Sequence, residues 1–239
     1  MGFRTRFLLK GMAAFLPSWL KRPFYRWCFG YRIGRRVKIG LSIIDYNECV
    51  IEDDVSIGHL NIFLGRGRLR IGDHARIGHL NIFRGGDVVD LGRYCEVLRM
   101  NEINSIPDPI VVNPTDPRFI LGDGAVITAS HKIDFTDRVE LGKQVILGGR
   151  NSSLWTHNRQ MTRPISIGDH SYIGSEIRVA PGGTVPARCI VGIGSVITRS
   201  FTDEYRLIAG VPAKVVKELD EDGKFLVSNK TRLELPDDL

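Results

Sequence analysis

Aliphatic residues followed by glycine recur along this chain at steps of six and twenty, and that rhythm limits the fold more than any other feature. Ile/Leu-Gly pairs begin at Ile33, Ile39, Ile57, Ile71, Ile77, Leu91, Leu121, Leu141, Leu147, Ile167 and Ile173. The steps 33→39, 71→77, 141→147 and 167→173 are six, and 57→77, 71→91, 121→141 and 147→167 are twenty. VSIGHLNIF at 55–63 returns as ARIGHLNIF at 75–83. Beyond Ile167 an apolar residue falls on every sixth position through Ile173, Val179, Val185, Val191 and Ile197. Neither the 3.6 period of a helix nor the alternation of a strand generates such steps. A fixed internal period marks a stacked repeat whose units bury their apolar face against one another.

A six-residue step fits one side of a triangular coil: a short strand with its aliphatic residue inward, and glycine helping the chain round the corner. Small residues four positions on (Val55, Ala75, Cys95, Ala125, Val145, Ser171, Cys189, Ser195) fit the same inward packing. Three sides make eighteen residues, so a spacing of twenty reads as one coil with two extra residues at a corner. Offset by ten lie Asn61, Asn81, Asn101, His131 and Asn151, read as a ladder of stacked polar side chains. Two intervals break the rhythm, and they predict excursions near 101–118 and 152–164. Excursions from a rigid scaffold are where binding and chemistry concentrate.

Charge is divided unevenly. The first 44 residues hold ten basic side chains, from Arg4 to Lys38, and no acid precedes Asp45. The remaining residues hold 23 basic and 27 acidic groups (33 − 10 against 27), a net of −4. A body without basic excess argues against nucleic acid as a partner. The arm, 1–32, reads as one or two short amphipathic helices broken near Pro17 and Pro23, with Leu8, Met12, Phe15 and Trp19 on one face. Two readings of it are compatible: a cap closing the open end of the coil, and a peripheral membrane contact. Four cysteines without a CxxC pair point to reduced thiols and a cytoplasmic setting, with the arm able to reach the inner membrane face. His74 and His79 resemble part of the zinc set of the hexapeptide carbonic anhydrases, but the upstream region 38–45 where that set places its third ligand holds no histidine, so no metal is expected. Cys95 and Cys189 fill the small inward slot and read as structural thiols.

The segments PISIGDHSYIGSEIRVAPGGTVPARCIVGIGSVITRS (164–200) and AGVPAKVVKE (209–218) resemble the acetyl-CoA-binding end of the left-handed β-helix acyltransferases. They are most similar to the maltose and galactoside O-acetyltransferases and the polysaccharide-cluster acetyltransferases. The resemblance covers about 33–218. It implies an all-β, left-handed parallel β-helix over 33–203, wound against the usual crossover hand, with a C-terminal helix and tail over 204–239. The second of the two segments, with Pro212 suited to a first helical turn, is the expected start of that helix. The resemblance also implies a homotrimer with active sites between subunits.

For function, it implies transfer of an acetyl group from acetyl-CoA, a co-substrate, to a hydroxyl of a saccharide or glycan intermediate. In LWTHNRQMTRPISIGD, His157 takes the general-base position. A sugar hydroxyl is a poor nucleophile, and an imidazole that removes its proton during attack supplies what the thioester lacks. Only ten residues separate His157 from Ile167, a shorter loop than in small-sugar members, which points to a larger and more exposed acceptor. Carried over residue by residue, the CoA positions are Ser175, Ile193, Thr198, Arg199, Lys214 and Lys217. Acceptor contacts fall on His131, which also has a place in the ladder, and on Trp155, a stacking face or a packed corner. The readings left open are an exposed loop role for His157, solvated cations at the CoA positions, N-acetylation of an amino sugar, and a non-catalytic β-helix scaffold.

Overall fold

The computed structural model describes residues 9, 11–106, 113–228, 235–237 and 239. Arg4, Arg6, Leu8 and Lys10 of the basic arm, 107–112 of the first excursion, and 229–234 and 238 of the tail lie outside the described residues. Short parallel strands of two to five residues stack into three sheets that form the faces of a triangular prism. The first face runs from Arg32–Ile33 to Thr184–Val185, the second from Lys38–Ile39 to Ile190–Val191, and the third from Ile43–Asp45 to Val196–Ile197. The chain visits the faces in that order eight times, and a ninth turn closes with Arg206–Gly210 on the second face. This is a left-handed parallel β-helix.

Register explains the periodicity. On the first face Ile33, Ile51, Ile71, Leu91, Leu121, Leu141, Ile167 and Val185 stand in one column. On the third, Ile44, Phe63, Phe83, Ile103, Ile133, Leu154, Val179 and Ile197 do the same. All are buried and share one core. The Phe63 and Phe83 rings stack at 4.7 Å with 6° between planes. The two extra residues of each twenty-residue coil do not sit at a corner, as the spacing suggested. They lengthen the first face by one in–out strand period, so Cys49, Leu69, Val89 and Phe119 point inward two residues before the column above. Adding two residues keeps the side-chain phase, whereas adding one would invert it.

The glycines that follow the inward aliphatics have a different purpose from the one expected. At the corner between second and third faces the left-handed residues include Leu60, Leu80, Met100, Ser130, Asn151 and Glu176, with φ between 56° and 61°, and a glycine, Gly194, takes that conformation only in the last coil. Gly58 and Gly78 are required by close stacking. A Cβ at Gly58 would lie 2.2 Å from the Gly78 carbonyl oxygen, and one at Gly78 would lie 1.8 Å from that of Leu98. The polar ladder begins at Ser42, whose Oγ accepts the Asn61 N–H at 3.1 Å. Asn61 Oδ1 accepts from Asn81 N and Nδ2, each at 3.0 Å, and Asn81 Oδ1 accepts likewise from Asn101. Asn101 Oδ1 then accepts the His131 N–H at 2.9 Å. The next rung is Ser152, not Asn151. The strand at Ile146–Arg150 shifts register against its neighbour, which moves the inward position on by one and leaves Asn151 exposed.

Helix α1, Ser18–Phe29, closes the first coil and ends at Gly30, whose φ of 71° lets the Gly30 and Tyr31 amides cap the last turn. Pro23 lies inside α1 and does not break it. The bond it omits belongs to the carbonyl four residues back, at Trp19, on the solvent side. Tyr25 and Tyr31 stack at 5.6 Å beneath the helix. Lys21, buried, donates its amine to the carbonyl oxygens of Ala14 at 2.9 Å and of Gly40, and burial lowers its pKa. At the other end, Pro212 does not start a helix. Arg206–Gly210 and Ala213–Glu218 pair antiparallel around a cis Val211–Pro212 bond, as the β-branched run KVVK favours. The C-terminal helix α2 comes later, at Glu221–Ser228. Among the described residues no helix is long and apolar enough to cross a membrane.

Candidate active site

Both excursions leave the prism at the same edge, where the third face passes to the first. One departs after the strand Glu102–Asn104 and the other after Ser153–Trp155. The second is a tight hairpin. His157 bridges Thr162, the Arg163 N–H donates to the Thr156 carbonyl at 2.8 Å, and Asn158 Oδ1 accepts the Gln160 and Met161 amides. Asn113, returning from the first excursion, clasps it. Asn113 Nδ2 donates to Thr162 O and Oγ1, and Asn113 Oδ1 accepts the Thr162 N–H at 3.0 Å.

This clasp holds His157 over Asp134. The imidazole Nδ1 lies 2.7 Å from Asp134 Oδ2, with the carboxylate buried and the His157 side chain 22% exposed. Asp134 is a hub of acceptor bonds. Thr156 donates to Oδ2 through N at 3.0 Å and Oγ1 at 2.8 Å, and Thr136 donates to Oδ1 through Oγ1 at 2.6 Å. The two threonine hydroxyls are themselves fixed, since Thr156 Oγ1 accepts the Asp137 amide and Thr136 Oγ1 that of Ile106. With donors on every side, the carboxylate takes a proton donated by Nδ1. Nε2 is thereby the ring nitrogen that keeps its lone pair. Such a pair can remove a proton from a hydroxyl and hold the resulting imidazolium.

Sequence reading named His157 but not Asp134, Thr136, Thr156, Thr162 or Asn113, which surround it. A signal for Asp134 was present. Its column on the third face holds Leu64, Arg84, Asn104, then Asp134 and Trp155, so an acid stands one coil beneath the excursion. Trp155 is 38% exposed, and Lys132 Nζ lies 5.8 Å from its ring centroid, leaving a flat face beside His157. Of the two places expected for His131, the structure shows it in the ladder. It is buried, its Nδ1 accepts the Ser152 N–H at 3.2 Å, and its Nε2 meets Thr128 Oγ1 at 2.9 Å. Burial pushes its pKa down to about 4, so the neutral ladder form prevails.

The six residues expected to contact CoA lie on two edges of the prism and on the closing hairpin. Thr198 and Arg199 follow the last third-face strand, on the edge that carries His157 two coils earlier. Ser175 and Ile193 follow second-face strands, on a different edge, linked by the Gly194 N–H donating to the Ser175 carbonyl at 3.0 Å. Lys214 and Lys217 project from the closing hairpin. Lys217 is paired with Asp220 at 2.8 Å, whereas the Arg199 guanidinium lies 5.1 Å from the Phe201 ring centroid. Of the other histidines, His79 stacks on His59 and His74 on Tyr94. Among the described residues no three His, Cys, Asp or Glu side chains converge on a metal position. Burial pushes the Cys189 thiol up, away from a nucleophile's role.

The fold aligns with UDP-N-acetylglucosamine acyltransferase (LpxA) from Bacteroides fragilis 9343 at a TM-score of 0.56 and 16% identity. That alignment covers 83% of this chain and 72% of that one. The Campylobacter jejuni UDP-N-acetylglucosamine acyltransferase aligns at 0.54 and 19% identity, over 83% of this chain and 78% of that one. In sequence, the galactoside O-acetyltransferase of Escherichia coli (strain K12) is 34% identical over 61 residues, 26% of this chain and 30% of that enzyme. Over about a quarter of its length the chain is similar in sequence to acetyltransferases, and its fold is that of the β-helix acyltransferases it aligns with. No protein-family model matches it. The chain spans about 30% of the length of the first curated relatives it matches. The His157–Asp134 pair and its Asn113 clasp are features of this chain's own geometry.

Proposed function

We propose that the protein transfers an acetyl group from acetyl-CoA to a hydroxyl of a saccharide or glycan intermediate, with His157 as general base and Asp134 as its positioning residue. The observation that carries this reading is the 2.7 Å bond from Nδ1 to a buried carboxylate on the edge both excursions share. Acetyl-CoA, when bound, supplies a thioester already activated for transfer. The Nε2 lone pair takes the hydroxyl proton, and Asp134 holds the ring and offsets the charge it gains. The sequence match to a galactoside O-acetyltransferase supports a sugar acceptor, and the exposed face of Trp155 suits a sugar ring. The exposed side chains of Ile193, Val211 and Val215 lie close in sequence to Arg199 and Lys214, a composition suited to a long uncharged arm ending in phosphates. The direct test is thiol release from acetyl-CoA in the presence of saccharide acceptors. No release, together with no CoA binding by calorimetry, would establish the non-catalytic scaffold instead.

Two expectations follow from the divided CoA positions. A homotrimer packed side by side would set the Ser175–Ile193 edge of one subunit against the His157 edge of its neighbour. Light scattering should therefore report a trimer, and a stable monomer with full activity overturns the intersubunit site. Replacing Arg199 and Lys214 together by Ala removes two exposed phosphate contacts. The KM for acetyl-CoA should rise about tenfold or more while kcat and the melting temperature hold. An unchanged KM removes both residues from the CoA site.

A further inference from the structure

The cap has two faces, and only one is used by the coil. Lys21 and Tyr25 of α1 are buried against it, and Phe24 and Phe29 pack on the same core. On the other side, Trp19, Pro23, Arg26 and Trp27 fall within an arc of about 100°. Trp19 is 74% exposed and Trp27 87%. The helical residues 11–15 repeat the arrangement: Ala13 and Ala14 are buried, while Met12 is 66% and Phe15 81% exposed. The face read from sequence as apolar, Met12, Phe15 and Trp19, is therefore the one turned to solvent. It cannot roll inward, because the Lys21 amine is tied to the carbonyls of Ala14 and Gly40.

Charge accompanies this aromatic face. Arg26 and Arg32 line a cleft between α1 and the first coil, together with Tyr31, Ile33, Gly34 and Ile51. Both guanidiniums are exposed, and no acid precedes Asp45 in the sequence. Arg35 and Arg36 differ, each being paired with its own aspartate, Asp53 and Asp54. We propose that this cap docks on an anionic lipid bilayer, with Met12, Phe15, Trp19 and Trp27 entering the headgroup layer and Arg26 and Arg32 engaging lipid phosphate. Indole rings favour that layer because one edge is apolar and the other donates a hydrogen bond. Cations beside them are attracted by the negative surface potential. A second copy of the same face would set Arg26 and Arg32 against their equivalents, which disfavours self-association there. Capping the coil and meeting a membrane thus belong to opposite faces of one short segment.

The test uses the full chain and vesicles of phosphatidylcholine with or without phosphatidylglycerol. Sedimentation should give binding about tenfold or more tighter to the phosphatidylglycerol vesicles, weakened by high salt. Trp19→Ser with Trp27→Ser should lower that affinity at least about tenfold. Arg26→Gln with Arg32→Gln should instead abolish the preference for anionic lipid. All four side chains face outward, so the melting temperature should hold. In a Trp155→Phe background the remaining indoles report directly, and their emission should shift to the blue on anionic vesicles. Equal binding by the Trp19/Trp27 variant, or emission unmoved by either vesicle, overturns the proposal and leaves the face to a protein partner.

Discussion

His157→Ala is expected to lower acetyl transfer by about 10²–10⁴-fold, the range a positioned general base supplies. CoA affinity and melting temperature should change little, because the imidazole sits on a hairpin outside the coil. Asp134→Asn tests the positioning role. It opposes an amide to groups that all donate, so turnover should fall and its pH dependence should shift even where the protein stays folded. His131→Ala should behave in the opposite manner. It removes a buried rung that accepts the Ser152 amide and meets Thr128, at a cost of about 1–3 kcal/mol in stability with only a modest loss per folded molecule. Acid should reproduce part of that loss. The folded His131 pKa of about 4 lies below the unfolded value of 6.5, so its contribution is full above pH 6.5 and declines as pH falls towards 4. If His131→Ala stops turnover without destabilising, and His157→Ala is silent, the two roles are reversed.

Phe83→Ala should cost about 3–5 kcal/mol, the largest stability effect expected of a single core truncation here. Its ring is fully buried, stacked on Phe63 and aligned with Ile103 on the far side. Neighbouring coils are fixed by their ladder bonds and cannot collapse into the space left. The adjacent Ile82, partly exposed on the outer side of the same strand, provides the comparison. Ile82→Ala should move urea-midpoint stability by no more than about 0.5 kcal/mol. Similar losses for the two would mean that the inward column is not what holds the coils together.

The columns were readable because each inward residue meets its own counterpart one coil away, so a local period in the sequence is also the contact map. That is why Ile33, Ile71, Leu91, Leu121, Leu141, Ile167 and Val185 could be read as inward without a structure, while Ile51, which no glycine follows, was passed over. The same logic failed where stacking, and not periodicity, decides. Glycine at 58 and 78 looked like a corner device, yet the tight approach of the next coil's carbonyl selects it, a distance no sequence period encodes. Asn151 looked like a rung because it kept the spacing, but a register shift at Ile146–Arg150 handed the position to Ser152. Pro212 suggested a helix start from its own preference, while pairing with Arg206–Gly210 determined a strand. For the site, His157 stood out by its distance from Ile167. Asp134 did not, because its importance lies in the coil beneath, 23 residues away, and Asn113 reaches across 49.

That both excursions start and finish at one edge has a consequence for how such a protein can diversify. Above and below the departures the strands keep step: Asn104 aligns with Asp134, and Val139 with Ile165. Chain can therefore be inserted or removed between those points without displacing a single ladder bond. Lengthening such a loop is cheap, since each doubling adds only about 0.6 kcal/mol of closure entropy. The prism then acts as a chassis of constant gauge, and the two loops, clasped by Asn113 and Thr162, act as an exchangeable fitting. Because His157 rides on one of those loops, a graft at this edge should exchange the proposed base together with the loop surface around it, while the prism beneath travels unchanged from one host to the next.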